Sequence, residues 1–225
     1  MQNRKTLPVK ENITPMIYEK TRDGEALYDV FSRLVKERIV FLAEEINAEV
    51  GTTVSATLLF LDKQNSTKDI SLYINSPGGS VCDGLYTIYD TMQFIKSPIR
   101  TVNIGEAYSA AAVLLAAGSK GKRSAYANSN TMIHQVQISG DFSGSSSDME
   151  EESKRVKLLN NRIMTTIARH AGQTFSKVKS DCLEDLYLTA EEALEYGLID
   201  SIIKPTKSLP DLVSKKKVVK KNIKK

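Results

Sequence analysis

Apolar positions fall along the chain in short blocks that alternate between helical and strand-like spacing. Residues 29–36 carry Val30, Phe31, Leu34 and Val35 on one helical face, and residues 38–42 form a largely apolar run that reads as a buried strand. Residues 53–61 predict a helix with Ala56, Leu59 and Phe60 on one side. A strand over 69–75 is closed by the turn Ser76-Pro77-Gly78-Gly79, and a helix over 81–95 follows. The unit then repeats, with a strand over 99–104, a turn at Gly105 and an apolar helix over 109–117. A third strand, 123–127, leads to Met132-Ile133-His134-Gln135. Strands alternating with helices imply parallel β-α-β units and an α/β fold. Sites in such sheets form at the carboxyl ends of strands, where Gly78-Gly79 and Ser109 both fall.

The second half is different. Residues 136–147 are polar and link His134 to a long helix over 148–170. Ser147 and Glu150 predict a capping box at its start, and Glu150–Lys154 and Glu151–Arg155 are spaced to pair along it. Its apolar face runs Met149, Val156, Leu159, Ile163, Ile167. Thr189 and Glu192 cap a last short helix, which ends at Gly197 before a terminal strand at Leu198-Ile199. Residues 1–25 are polar and turn-rich, with too little apolar surface to offset their own ordering entropy.

Composition narrows the class. With 225 residues, 41% hydrophobic and 26% charged, the chain is sized for one soluble domain with a real core. No apolar run approaches the roughly 20 residues of a membrane span. The first residues lead into no apolar signal region, and the expected location is the cytoplasm. Two cysteines, Cys82 and Cys182, are too few for a disulfide framework or a metal site. The net charge of +4 is carried by the end of the chain, where residues 214–225 hold seven lysines and no acid. Without them 24 basic residues face 27 acidic ones, which argues against nucleic acid as a partner of the folded part. The lysine-rich tail, 206–225, reads as disordered.

The chemistry centres on Ser109 and His134. A serine at a strand-to-helix turn has its hydroxyl presented on a sharp bend, with backbone N–H groups nearby. Serine is a weak nucleophile that needs a base, and the base needs an orienting group. Only two histidines are present. His170 lies at a helix end beside Ala171-Gly172, where an imidazole favours the helix dipole. His134 follows a strand, 25 residues after Ser109. Three acids, Asp181, Glu184 and Asp185, are candidates for the orienting group. An acyl-transfer site also needs N–H donors for the tetrahedral oxyanion. Gly79, without a Cβ to obstruct approach, and Ala110, first in the helix after Ser109, can supply them.

Taken together, Tyr73-Ile74-Asn75-Ser76-Pro77-Gly78-Gly79, Gly105 to Ser109, Met132 to Gln135 and the stretch 188–200 resemble the proteolytic subunit family of the caseinolytic (Clp) proteases, peptidase family S14. The resemblance implies a spiral of β-α-β repeats shared with the crotonases, and a protruding handle helix. It implies a serine endopeptidase with Ser109 as nucleophile, His134 as base and Gly79 and Ala110 at the oxyanion. Among the three acids it selects Asp185, directly before the strand Leu186-Tyr187-Leu188. It further implies two stacked heptameric rings degrading unfolded polypeptides fed by a hexameric AAA+ unfoldase. The family's segments fall as an axial segment over 1–25 and a protease domain over 26–205. No cofactor or metal is expected, and ATP would be used by the unfoldase, since no G-x-x-x-x-G-K-[ST] loop occurs here.

Several positions depart from the family's pattern. Tyr108-Ser109-Ala110-Ala111 stands where Ala-Ser-Met-Gly is common, Val136 where proline is, and Glu184 where an arginine usually precedes the aspartate. The 81–95 helix is about one residue longer and the linker before the handle about two. These departures keep two other readings open: a weakly active or structural ring subunit, and a crotonase-like acyl-coenzyme A enzyme.

Overall fold

A computed structural model describes residues 14–21, 24–138 and 143–205. The expectation for the 206–225 tail, and those for residues 1–13, lie outside the described residues. Met16–Thr21 (β1) pairs antiparallel with Gly24–Asp29 (β2), a hairpin not anticipated from the sequence. Asp29 then caps Val30–Lys36 (α1), its carboxylate accepting from the amides of Phe31 and Ser32.

The main sheet begins with Ile39–Leu42 (β3) and Ile70–Ser76 (β4), followed by Ile99–Tyr108 (β5), Arg123–Tyr126 (β6) and Ser201–Ile203 (β9). These five lie in the order β3-β4-β5-β6-β9, every neighbouring pair parallel. Asn130–Ile133 (β7) pairs parallel with β5 and antiparallel with Leu186–Thr189 (β8). The α/β class with a parallel sheet therefore holds. The long strand β5 serves two partners, residues 101–103 pairing with β6 and residues 106–108 with β7.

That division corrects the expected turn at Gly105. The strand runs through it to Tyr108, with a register shift against β4 between Ile74 and Ser76. Side-chain amides take over where the ladder breaks: Asn103 Oδ1 accepts from the Gly105 N–H, and Asn75 Oδ1 from the Glu106 N–H. The nucleophile candidate is thereby carried four residues further along the sheet than a Gly105 turn would leave it.

Around the sheet pack Ala48–Gln64 (α2), Tyr86–Phe94 (α3), Ala110–Ala116 (α4), Ser146–Ala171 (α5), Phe175–Asp181 (α6) and Ala190–Tyr196 (α7). All seven residues of α4 are buried, as its unbroken apolar sequence requires. It is the centre of a core that includes Leu58, Leu72, Ile88, Leu114, Ile163 and Ile167. Truncating a fully buried leucine such as Leu114 to alanine costs about 2–5 kcal/mol in cores of this kind.

Four further expectations change. Helix α2 is longer than 53–61 and turned differently: Val50, Val54, Leu58 and Leu61 face the core, whereas Ala56, Leu59 and Phe60 are exposed. Residues 81–95 are not one α-helix, because Val81–Leu85 forms a π-helical turn before α3. One extra residue is absorbed there by bonds to the fifth residue back, Leu85 N–H to Ser80 O and Tyr86 N–H to Val81 O. The handle helix α5 is capped by Ser145 with Asp148, not by Ser147 with Glu150, and Arg155 pairs with Glu152 rather than Glu151. Leu198 and Ile199 are buried, but the terminal strand is β9, beyond the Asp200 that clamps Arg123. The Thr189–Glu192 capping box forms as expected.

Candidate active site

Ser109 joins β5 to α4 and is one of two non-glycine residues with positive φ among the described residues (φ 54°, ψ −120°). A side chain rarely adopts this backbone conformation, and the bend throws the hydroxyl off the end of the strand. Its amide is anchored to the Met132 carbonyl at 2.8 Å, which ties the bend to β7. His134 stands immediately after β7, and its Nε2 lies 2.7 Å from Ser109 Oγ. The two residues 25 apart in sequence thus meet at hydrogen-bonding distance.

Asp185 precedes β8, whose Leu186 pairs with Ile133 in the β7 register, so Asp185 is brought beside His134. Its Oδ1 is 3.6 Å from His134 Nδ1, too long for a hydrogen bond. His134 Nδ1 is buried and has no hydrogen-bond partner among the described residues. Burial lowers the His134 pKa below the ordinary imidazole value, and the nearby Asp185 carboxylate opposes that shift. Burial thereby favours the neutral imidazole, the form whose lone pair can take a proton.

The other two acids are elsewhere. Asp181, on α6, accepts from Lys177 Nζ and Tyr196 Oη, both at 2.8 Å. Burial alone would raise its pKa, but these donors hold it below the usual carboxylate value. Glu184 is exposed. His170 is likewise engaged away from the site, its Nε2 3.0 Å from Tyr89 Oη and its carbonyl accepting from Arg123.

Opposite Ser109 runs the Ser76-Pro77-Gly78-Gly79 loop, with φ of +98° at Gly78 and +146° at Gly79. Only glycine adopts such values readily, and the packing leaves no room for a side chain. A Cβ on Gly78 would lie 2.7 Å from Ser109 Cβ, and one on Gly79 would collide with the Ile46 carbonyl. The Gly79 and Ala110 amides have no acceptor among the described residues. Ala110 and Ala111, which replace the family's commoner residues, are both in the core.

These groups line one cleft of about 660 Å³. Gly79, Ser109, Ala110, His134 and Asp185 lie along it, and Val81, Val136, Val156, Leu159 and Ile163 give it an apolar wall. Cys82, on the π-helical turn, is exposed at the rim, 3.9 Å from Arg155 Nη1. Cys182 is buried, and burial pushes its thiol up to about 11.

Sequence reasoning missed two residues that hold the site together. Gln135 donates its amide to the Cys182 carbonyl (3.0 Å) and its side-chain Nε2 to the Leu183 carbonyl (3.0 Å). It therefore fastens the His134 strand to the loop that carries Asp185. Its position directly after His134 was the available signal. Asn160, in the middle of α5, accepts from the Val136 N–H at 2.8 Å and joins the handle to the same segment; no sequence signal marks it.

A family model described as Clp protease matches residues 22–206, which takes in the whole of this site. Serine peptidase chemistry is what that family implies, and the α/β fold agrees with it. The chain belongs to the Clp protease family, peptidase family S14.

Proposed function

We propose that this chain is an active serine endopeptidase, with Ser109 as nucleophile, His134 as base, Asp185 as the group that orients the imidazole, and the Gly79 and Ala110 amides as oxyanion donors. The 2.7 Å approach of His134 Nε2 to Ser109 Oγ carries this reading. Ser109 Oγ attacks the scissile carbonyl carbon while its proton passes to His134 Nε2. The negative charge that develops on the carbonyl oxygen is met by the two amides. His134 then returns the proton to the leaving amine, the C–N bond breaks, and an acyl-serine remains. Water, deprotonated by the same imidazole, releases the acid.

The substrates proposed are unfolded polypeptides, cut within a chamber built from two stacked heptameric rings. A hexameric AAA+ unfoldase would deliver them and consume the ATP. Family membership supports this assembly and partnership in general terms. Exposed apolar residues on α2, Leu59 and Phe60, are consistent with a chain that packs against copies of itself.

A second reading is favoured by one observation, the unpartnered His134 Nδ1 standing 3.6 Å from Asp185. It describes a weakly active or structural ring subunit, whose orienting contact is not made. Hydrolysis of a fluorogenic peptide by assembled wild-type protein and by Ser109→Ala decides between them. Activity that falls at least a hundredfold in Ser109→Ala supports the peptidase, and a wild type without hydrolysis supports the structural subunit.

A further inference from the structure

Ser76, the last residue of β4, is fully buried, and its hydroxyl is used twice. Oγ donates to the Glu44 carbonyl at 2.6 Å and accepts from the Gly78 N–H at 3.2 Å. From the other side the loop is gripped by Ile46, whose N–H donates to the Gly78 carbonyl at 2.7 Å and whose carbonyl accepts from the Ser80 N–H at 2.7 Å. The Gly78–Gly79 peptide is trans, so its N–H points opposite to its C=O. With the carbonyl turned to Ile46, the Gly79 N–H is directed away from Ile46, and Gly79 itself lines the cleft with Ser109.

No Cβ enforces that direction. Glycines flank the peptide on both sides at positive φ, and with no Cβ at either one its orientation rests on hydrogen bonds, the Ile46 N–H on the Gly78 carbonyl and those that hold the peptide before it. A turned peptide would put its carbonyl oxygen where an N–H donor is needed, opposing rather than stabilising a negative oxygen. We propose that Ser76 is a positioning residue: by bridging the Glu44 carbonyl to the Gly78 N–H, its hydroxyl fixes the Pro77–Gly78 peptide, keeps the Gly78 carbonyl seated on the Ile46 N–H, and so aims the Gly79 N–H at the oxyanion. This rests on the serine peptidase reading above. Ser76 touches no substrate and acts through the loop.

A control for simple loss of a buried hydroxyl exists in the same protein. Ser97 is 3% exposed, donates to the Asn65 carbonyl at 3.3 Å and accepts from Arg38 Nη2 at 3.1 Å. It makes the same kind of bridge and is not among the residues lining the cleft.

The test compares full-length assembled wild type, Ser76→Ala and Ser97→Ala on a fluorogenic peptide, and with a peptide aldehyde that adds to the Ser109 hydroxyl as a hemiacetal. Removing an oxyanion donor outright costs about 10²–10³ in kcat, and an indirect loss of its aim is expected at about 10–100-fold. In Ser76→Ala kcat should fall by that factor while KM stays within threefold, and aldehyde affinity should weaken in parallel with kcat. In Ser97→Ala melting temperature should fall with kcat and aldehyde affinity unchanged. Should Ser76→Ala fail to assemble, Ser76→Cys keeps the volume with a much weaker donor and acceptor, and should show the same split. An assembled Ser76→Ala or Ser76→Cys with kcat within threefold of an active wild type overturns this proposal and leaves the peptidase reading standing. A wild type that hydrolyses nothing overturns both.

Discussion

Replacing Asp185 by asparagine tests whether the 3.6 Å separation from His134 is a working geometry. Two magnitudes compete. At 3.6 Å a full carboxylate–imidazolium attraction is about 1 kcal/mol at the dielectric of water and about 5 kcal/mol at an effective dielectric near 20. The Asp185 side chain is 43% exposed, which places the resting pair towards the lower figure. Losing only that would slow turnover by about fivefold, since each 1.36 kcal/mol is a factor of ten. A hydrogen-bonded orienting aspartate is worth far more, about 10⁴ in kcat for an aspartate-to-asparagine change, because the amide favours the wrong tautomer. The buried and unpartnered His134 Nδ1 is a strong incentive for Asp185 to close the gap once a substrate excludes water from the cleft. The expected result is therefore a fall of at least 10³ in kcat for Asp185→Asn, measured on assembled rings with a fluorogenic peptide. Asp181→Asn and Glu184→Gln should change kcat by less than tenfold, because neither side chain contacts His134. An Asp185→Asn variant within tenfold of wild type would refute the closing contact and leave Asp185 a passive neighbour.

Because burial lowers the His134 pKa below its ordinary value, kcat/KM should be on its plateau at pH 7 and fall only below about pH 6.5, as the imidazole takes up a proton; an acid limb centred above pH 7 in a pH–rate profile would contradict this. Gly79→Ala should abolish peptide hydrolysis, since its Cβ would collide with the Ile46 carbonyl at a φ of +146° that alanine resists, and a circular dichroism spectrum matching wild type would show that the sheet survives. Asp200→Asn should lower stability by about 3–5 kcal/mol at pH 7, because the 5%-exposed Arg123, which Asp200 clamps through Nε and Nη2, loses its buried countercharge and keeps only the Ala116 and His170 carbonyls. Folding lowers the Asp200 pKa, so that contribution is complete above about pH 4 and vanishes as pH falls through the lower folded value; melting curves of wild type and variant should converge there.

Much of the site was legible from the chain because its chemistry sits at element ends that sequence marks clearly. The switch from a strand-like run to Ala110–Ala116 placed Ser109, and the apolar Asn130–Ile133 segment placed His134. What escaped is set by non-local pairing. The continuation of β5 through Gly105 depends on the side-chain amides of Asn75 and Asn103, which no local pattern announces. Which face of α2 meets the core was not legible, because Leu59 and Phe60 are apolar yet exposed, and periodicity cannot say which of two apolar stripes is buried. Three consecutive serines precede Asp148, and each can cap a helix, so choosing Ser145 needed the backbone itself. The π-helical turn fits one more residue into its turn than an α-helix would, which is a matter of length rather than propensity. The Asp185 to His134 distance depends on Gln135 gripping the 182–183 loop, a contact across 48 residues.

Ser109 as an activated nucleophile underlies every role assigned above, and covalent labelling reads that activation directly. Assembled wild-type protein, Ser109→Ala and His134→Ala would each be treated with a fluorophosphonate probe and followed by intact mass, with the modified peptide sequenced. The wild type should gain one probe per chain on the peptide containing Ser109, Ser109→Ala none, and His134→Ala only at a rate lower by orders of magnitude. A wild type that stays unlabelled, or that carries the probe on another residue, would contradict it.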